Sequence, residues 1–275
     1  MNPKKWMLLG VISFCMLAIG VKEISSNISS IQIIFFRSFI GLILLFVFFR
    51  KKFQELTFKK IKIHLKRNIF HLFGQYGWVL GIVYLSLTEV TAIEFTVPIW
   101  IIIFATLYLN EKMTKWKIVS VLMCFLGVLV IIRPGFEIFK INTIIVLLSA
   151  ISYSIAHIST KKIVKTETPL DIIIIMCITQ TPIAFVLSLN NWNYPNLPDL
   201  FWLIIIAISA ISAHFSLAKA FKKSNIGEII TIDYIRLPIL SLVGILIYNE
   251  DFDILLLIGA FLIIVGNYIN LKKST

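Results

Sequence analysis

Four charged side chains sit inside sequence that is otherwise hydrocarbon: Arg37, Glu94, Asp233 and Arg236. A charge near the middle of a bilayer costs about 2.5–3.5 kcal/mol on insertion scales, so few are retained without a use. Asp233 and Arg236 are three residues apart, which on a helix places them on one face and offers a solute one charge of each sign. The competing reading is a self-satisfied ion pair that only makes the helix insertable. Glu94 lies four residues before Pro98. It is a candidate to neutralise a cationic substrate or to carry a coupling proton, or else it pairs with Lys22 or Arg37. Arg37 is a candidate to bind an anionic group, but structural use is the better reading, because an arginine near a helix end snorkels readily. Pro98 and Pro238 each remove the hydrogen bond to the carbonyl four residues back, at Glu94 and Tyr234. Kinks are expected there, each baring an acceptor beside a polar side chain, as a cavity wall or hinge requires. Rings and amides recur in the same setting: Gln75 and Trp78, Trp100, the pair Tyr153 and His157, His214, and Tyr234. As a set they suit a pocket that stacks a planar ligand or holds a cation; singly, each also suits ordinary packing.

The elements that must position these groups are membrane helices. Apolar residues make up 59% of 275, and the mean hydropathy is +0.93, against about 45–50% apolar in soluble domains. A span needs roughly 20 mostly apolar residues. Ten stretches qualify, at about 6–22, 32–50, 68–87, 91–109, 116–133, 142–160, 171–190, 200–218, 228–248 and 254–271. The net charge of +12 invites a nucleic-acid reading, but its distribution excludes one. With the N-terminus inside, 21 of the 26 Lys and Arg fall on inner segments and only Lys22, Arg133 and Lys140 on outer ones. That is the positive-inside bias of a multi-pass protein with both termini inside. Eight of the inner charges lie between Arg50 and Arg67, read as a basic, partly amphipathic loop along the headgroups. Cys15, Cys124 and Cys177 all fall within spans, without metal-ligand spacing, and read as packing residues.

The chain also repeats itself. Pro98 to Glu111 is echoed by Pro238 to Glu250, each an apolar helix closed by Asn-Glu. Ser13–Lys22 aligns with Ser152–Lys161, 139 residues on, and Ile31–Phe35 with Leu170–Ile174 at the same offset. The expected architecture is all-α and integral to the membrane: ten helices as two five-helix repeats, 1–135 and 142–271, joined through Arg133 to Asn142. Five is odd, so the second copy must be inverted, and inverted repeats with broken helices belong to secondary transporters.

The residues that carry the repeat also resemble the EamA-type branch of the drug/metabolite transporter superfamily. The matching pieces are Leu87-Thr-Glu-Val-Thr-Ala-Ile-Glu-Phe-Thr-Val-Pro98 with Asn110-Glu111, Asp233-Tyr-Ile-Arg-Leu-Pro238 with Asn249-Glu250, and Phe36-Arg37. The resemblance implies a central cavity lined by helices 1, 3, 4, 6, 8 and 9. It also implies transport of amino-acid-, nucleoside- or vitamin-like metabolites. The Phe-Thr-x-Pro and Asp-Tyr-x-Arg-Leu-Pro wording is most similar to a subgroup with S-adenosylmethionine and riboflavin uptake systems. The family's usual Gly-Glu is Asn-Glu here, in both halves. The expected function is secondary active transport of a small organic metabolite by alternating access in a bacterial inner membrane. No cofactor is expected. The expected partners are the solute, the bilayer and a coupling proton or ion. Helices 5 and 10 are free to pack within one protomer or across a homodimer. The alternatives are a membrane enzyme or a channel. His64, His71, His157 and His214 fit no catalytic spacing, and no phosphate loop or filter is legible.

Overall fold

The structure is a computed structural model that describes residues 2–24, 27–56, 60–109, 114–132, 141–224, 229 and 232–273. It is helical throughout: α1 (Pro3–Ile24), α2 (Ser30–Gln54), α3 (Ile61–Tyr84), α4 (Leu87–Glu94), α5 (Val97–Leu109), α6 (Lys115–Ile132), α7 (Ile141–Ile163), α8 (Pro169–Ser188), α9 (Leu197–Lys223), α10 (Arg236–Tyr248) and α11 (Ile254–Lys273). Six segments among the described residues are long and apolar enough to cross a membrane: Pro3–Ile24, Ser30–Gln54, Leu87–Phe104, Ile141–Ile163, Pro169–Asn191 and Leu197–Lys223. The exterior matches that solvent. Phe46, Val47, Phe48, Val186, Leu246 and Phe261 all face outward, where only lipid tails would tolerate them. The proposed hinge from Arg133 to Asn142 lies almost wholly outside the described residues, as do Asn110, Glu111 and Glu228.

Local chemistry sets the helix ends. Thr168 and Asp171 close a reciprocal capping box at α8, and Asn196 and Asp199 close one at α9. Ser86 caps α4 by accepting from the Glu89 N–H at 3.0 Å. Asn249 ends α10 in the left-handed conformation, φ 51°. Glycine and asparagine are the residues that adopt it at least cost, which suits Asn249 to this helix end.

The helices pair across the chain's midpoint. α1 packs on α9, α3 on α7, α2 on α8 and α6 on α11. Each pair joins a helix before residue 133 to one after 140, so neither half buries its apolar faces alone. α6 and α11 meet within one chain at backbone contact. A Cβ on Gly127 would sit 2.6 Å from the Gly259 carbonyl oxygen, and one on Gly266 3.0 Å from that of Ser120. These two contacts interchange under the 139-residue offset, as do the contact of Gly77 with Ser149 and that of Gly10 with Ser216.

Two sequence expectations change here. The stretch Arg50 to Arg67 is mostly helix: α2 runs on to Gln54 and α3 starts at Ile61, and Arg67 is buried, 3% exposed, rather than lying on headgroups. The physical reason is α3's polar stripe. His64, Arg67, Asn68, His71 and Gln75 share a face that turns into the bundle. The proline kinks become true breaks. α4 stops at Glu94 and α5 starts at Val97, while α10 starts at Arg236, after the turn at Tyr234 and Ile235. Pro98 and Pro238 then sit in the first turn of their helices, where a missing N–H costs nothing. Asn267 of α11 donates to the Phe95 carbonyl at 3.2 Å and so covers an acceptor in the first break.

Candidate substrate site

The two helix breaks aim their flanking charges at a common point. Glu94 is the last residue of α4, and Arg236 the first of α10, with Asp233 one turn before it. Arg236 reaches both carboxylates: 2.6 Å from Asp233 Oδ2 and 3.1 Å from Glu94 Oε2. Trp78 donates its indole N–H to the same Glu94 oxygen at 3.1 Å. The guanidinium also lies over Phe14, 5.1 Å from the ring centroid, and over Phe95 at 5.8 Å. Glu94 therefore pairs with Arg236 and Trp78, not with Lys22 or Arg37. Lys22 pairs with Glu250 at 3.3 Å, and Arg37 donates to the Gln180 amide oxygen at 3.0 Å.

Around this triad lies a narrow cavity of about 40 Å³, room for a few waters in this conformation. Eight of the expected residues line it: Gln75, Trp78, Glu94, Tyr153, His157, His214, Asp233 and Arg236. Tyr153 and His157 stack at 6.2 Å with 13° between planes, and His214 meets Phe14 edge-on at 5.6 Å. Tyr234 and Trp100 do not reach it. Tyr234 is buried against Phe95, ring centroids 4.7 Å apart. Trp100 donates to Thr96 Oγ1 at 3.2 Å and faces Phe125 in a separate apolar recess. Tyr234 lies in the second break, one position along from Asp233, whereas Trp100 lies within α5 on the side toward Phe125 of α6. Two carboxylates against one guanidinium give the triad a net −1 with all three ionised. Among the described residues Asp233 Oδ1 and Arg236 Nε have no hydrogen-bond partner, so the triad retains unused capacity toward a ligand.

The cavity is built twice over. Phe14 and Tyr153, Gln75 and His214, Trp78 and Leu217, Glu94 and Asp233, and Val97 and Arg236 all line it, and each pair is separated by 139 residues. The prolines are 140 apart, which hides the match of Glu94 with Asp233 when the sequence is read from Pro98 and Pro238. A search at the offset of the flanking helices finds it.

Lysines at related positions make the same bonds. Lys22 donates to the carbonyls of Ile82 and Leu85, and Lys161 to those of Phe221 and Ser224. Glu250 joins the Lys22 cluster by accepting from the Leu87 N–H at 3.0 Å. The sequence names Lys22 as an outer charge or a partner for Glu94, and Lys161 as the end of the aligned stretch, without these bonds. A lysine at a helix end reads as an orientation signal until the carbonyls that hold it are known.

The model of the EamA-like transporter family matches residues 4–133 and again 141–272. The chain belongs to the EamA-like transporter family. It is thus a multi-pass membrane transporter of small metabolites. As a family member it is similar to an S-adenosylmethionine uptake transporter of Rickettsia bellii, 28% identical over 94% of this chain and 89% of that one. It is similar to a riboflavin transporter of Brucella anthropi, 27% identical over 87% of each. It is also similar to a pseudopaline exporter of Pseudomonas aeruginosa, 24% identical over 96% and 94%. A solved crystal structure, described simply as that of a protein, shares the fold at a TM-score of 0.72 over 99% of both chains, with 11% identity. Among the described residues no group of three His, Cys, Asp or Glu is placed to hold a metal ion.

Proposed function

We propose that this EamA-like transporter imports a cationic, ring-bearing organic metabolite of the S-adenosylmethionine class. The observation that carries the reading is the triad: two carboxylates against one arginine, in a cavity walled by Trp78, Phe14, Tyr153, His157 and His214. A net −1 charge favours a cation, and the rings favour a flat heterocycle or a sulfonium or ammonium group. The similarity to S-adenosylmethionine uptake transporters along 94% of the chain points to the same ligand class. In this reading Glu94, Asp233, Tyr153, His157, Trp78, Gln75 and His214 contact the substrate, and Arg236 is the counter-ion that substrate displaces in part. Either carboxylate is available to carry a coupling proton.

The scaffold is a ten-span, five-plus-five inverted repeat, 1–135 and 142–271, in a bacterial inner membrane with both termini inside. Broken α4 and α5 form one span, and the broken segment ending in α10 another. Supporting this are the two family-model matches, the pairing of helices across the midpoint, and contacts that interchange at the 139-residue offset. Inversion puts the Lys22 and Lys161 clusters at opposite membrane faces, where each closes one end as the repeats rock. Pro98 and Pro238 are the places where that rocking bends the wall.

The test is uptake of labelled S-adenosylmethionine into proteoliposomes, with riboflavin as a parallel arm. Saturable uptake that unlabelled S-adenosylmethionine competes away, and that Asp233→Asn weakens at least tenfold, is the expected result. Saturable riboflavin uptake with none of S-adenosylmethionine would replace the ligand class; flux that never saturates would replace the transporter reading by a channel.

A further inference from the structure

A second polar centre adjoins the cavity and has the opposite sign. Arg37 of α2 and Arg67 of α3 are both about 3% exposed. Neither has an ion-pair partner among the described residues. Arg37 donates one nitrogen to Gln180, a neutral amide, and its Nε and Nη1 have no partner. Arg67 donates to Asn68 at 2.9 Å and Thr160 at 3.3 Å, neutral groups again. The two arginines belong to one polar knot, because Gln180, which holds Arg37, also donates to the carbonyl of Asn68, which holds Arg67, at 3.3 Å. A polar path links this centre to the cavity. The Gln180 amide nitrogen lies 3.1 Å from His71 Nδ1, and the His71 ring meets the cavity residues His214 at 4.7 Å and Tyr153 at 5.6 Å. His71 Nε2 is also without a partner. Along α3, Arg67, His71, Gln75 and Trp78 form one stripe, so the centre lies about 12 Å from Gln75 by helical rise.

A buried cation without a counter-ion is costly, and the fold does not ask for this one. At the 139-residue offset, Arg37, Arg67, Asn68, His71 and Gln180 correspond to Met176, Ile206, Ala207, Ala210 and Gly41. The four from the second half are buried and apolar, so the same helix packing is met there by hydrocarbon. What Arg37 lacks is an anion.

We propose that Arg37, flanked by Gln180 and His71 and backed by the charge of Arg67, is an anion subsite that takes the carboxylate of the transported metabolite. The triad of Glu94, Asp233 and Arg236 holds the cationic end. The substrate class is then an amino acid with a cationic, ring-bearing side group, and this deepens the functional reading above and rests on it.

Two measurements decide it. The first is independent of the substrate's identity: melting of the purified transporter in acetate or in chloride at matched ionic strength. Acetate is expected to raise the midpoint by about 2–4 °C, chloride by less, and Arg37→Gln to abolish the difference. No shift, a shift that survives Arg37→Gln, or equality with chloride would overturn a carboxylate subsite; equality with chloride would assign the centre to an inorganic anion. The second is competition of S-adenosylmethionine uptake by its decarboxylated analogue. The wild type should prefer the carboxylate form by about 10- to 100-fold, the range of a charge-assisted hydrogen bond to a buried partner. Arg37→Gln should level the two ligands, and Arg37→Lys should restore part of the preference. Equal competition in the wild type would overturn the proposal. Absence of S-adenosylmethionine uptake overturns the choice of ligand instead, and leaves the acetate result to decide the subsite.

Discussion

The two walls of the central cavity occupy the same positions and carry different chemistry. One wall presents Phe14, Gln75, Trp78, Glu94 and Val97; the other, 139 residues on, presents Tyr153, His214, Leu217, Asp233 and Arg236. A carboxylate stands on both. An arginine stands on one, opposite a valine, and an indole on the other, opposite a leucine. Helix pairing across the midpoint makes the geometry two-fold. Divergence of a few side chains then makes the field one-sided. Had Val97 also been an arginine, the charges would balance and the preference for a cation would vanish. The lesson extends outward from the cavity. The Lys22 and Lys161 clusters have kept the two-fold pattern, whereas Arg37, Arg67 and Gln180 have broken it. In the proposed function, symmetric features serve the scaffold and its motion, and asymmetric ones mark where a solute of definite polarity is read.

The sharpest way to break the comparison is to remove the asymmetric arginine. Arg236→Val makes the second wall copy the first and leaves Glu94 and Asp233 buried with no counter-ion. A loss of about 3–5 kcal/mol of stability is expected, visible as lower yield of folded protein and a lower melting midpoint. Adding Val97→Arg to that variant returns the charge from the other wall. If the scaffold is two-fold, the double variant regains at least half of the lost stability; recovery of none would mean that the walls are not equivalent.

Next in size are the glycine contacts between α6 and α11. Gly127→Ala meets the Gly259 carbonyl and should cost about 1–3 kcal/mol. Gly266→Ala, with the looser approach to Ser120, should cost less. Melting of the two variants side by side checks the order.

The lysine clusters give a functional contrast of about tenfold, the scale of one or two hydrogen bonds to a charged group. Lys22→Ala should raise labelling of a cavity cysteine by an impermeant thiol reagent from one membrane face, and Lys161→Ala from the other. Labelling that changes from the same face in both variants would refute opposed closures. The smallest expected effect is that of Trp78→Leu, which gives the first wall the residue of the second. Loss of the bond to Glu94 should weaken substrate binding about fivefold, the scale of about 1 kcal/mol for one net hydrogen bond, read as a change in KM for uptake.

Much of this protein is written one-dimensionally. Hydropathy gives a helical membrane chain, because no other element satisfies its backbone in lipid. The 139-residue offset gives two copies of one pattern, and the family model matches the chain twice. Glu94, Asp233 and Arg236 stand out because a charge in hydrocarbon is conspicuous, and the structure brings all three within hydrogen-bond reach. The sequence is silent where burial and exposure spell the same. Arg67 lies among lysines near a helix start and reads as surface, yet the α3 stripe carries it inward. Tyr234 and Trp100 sit near the right residues and face elsewhere: Tyr234 falls in a break, where the helical period no longer fixes direction, and Trp100 turns toward Phe125 of α6. Lys22 and Lys161 read as topology signals, and only the carbonyls of α3 and α9 make them clasps. What the sequence alone determined was composition, repeat and the identity of the charges. Which charge meets which was decided by tertiary packing, because that depends on helices brought together from opposite halves of the chain.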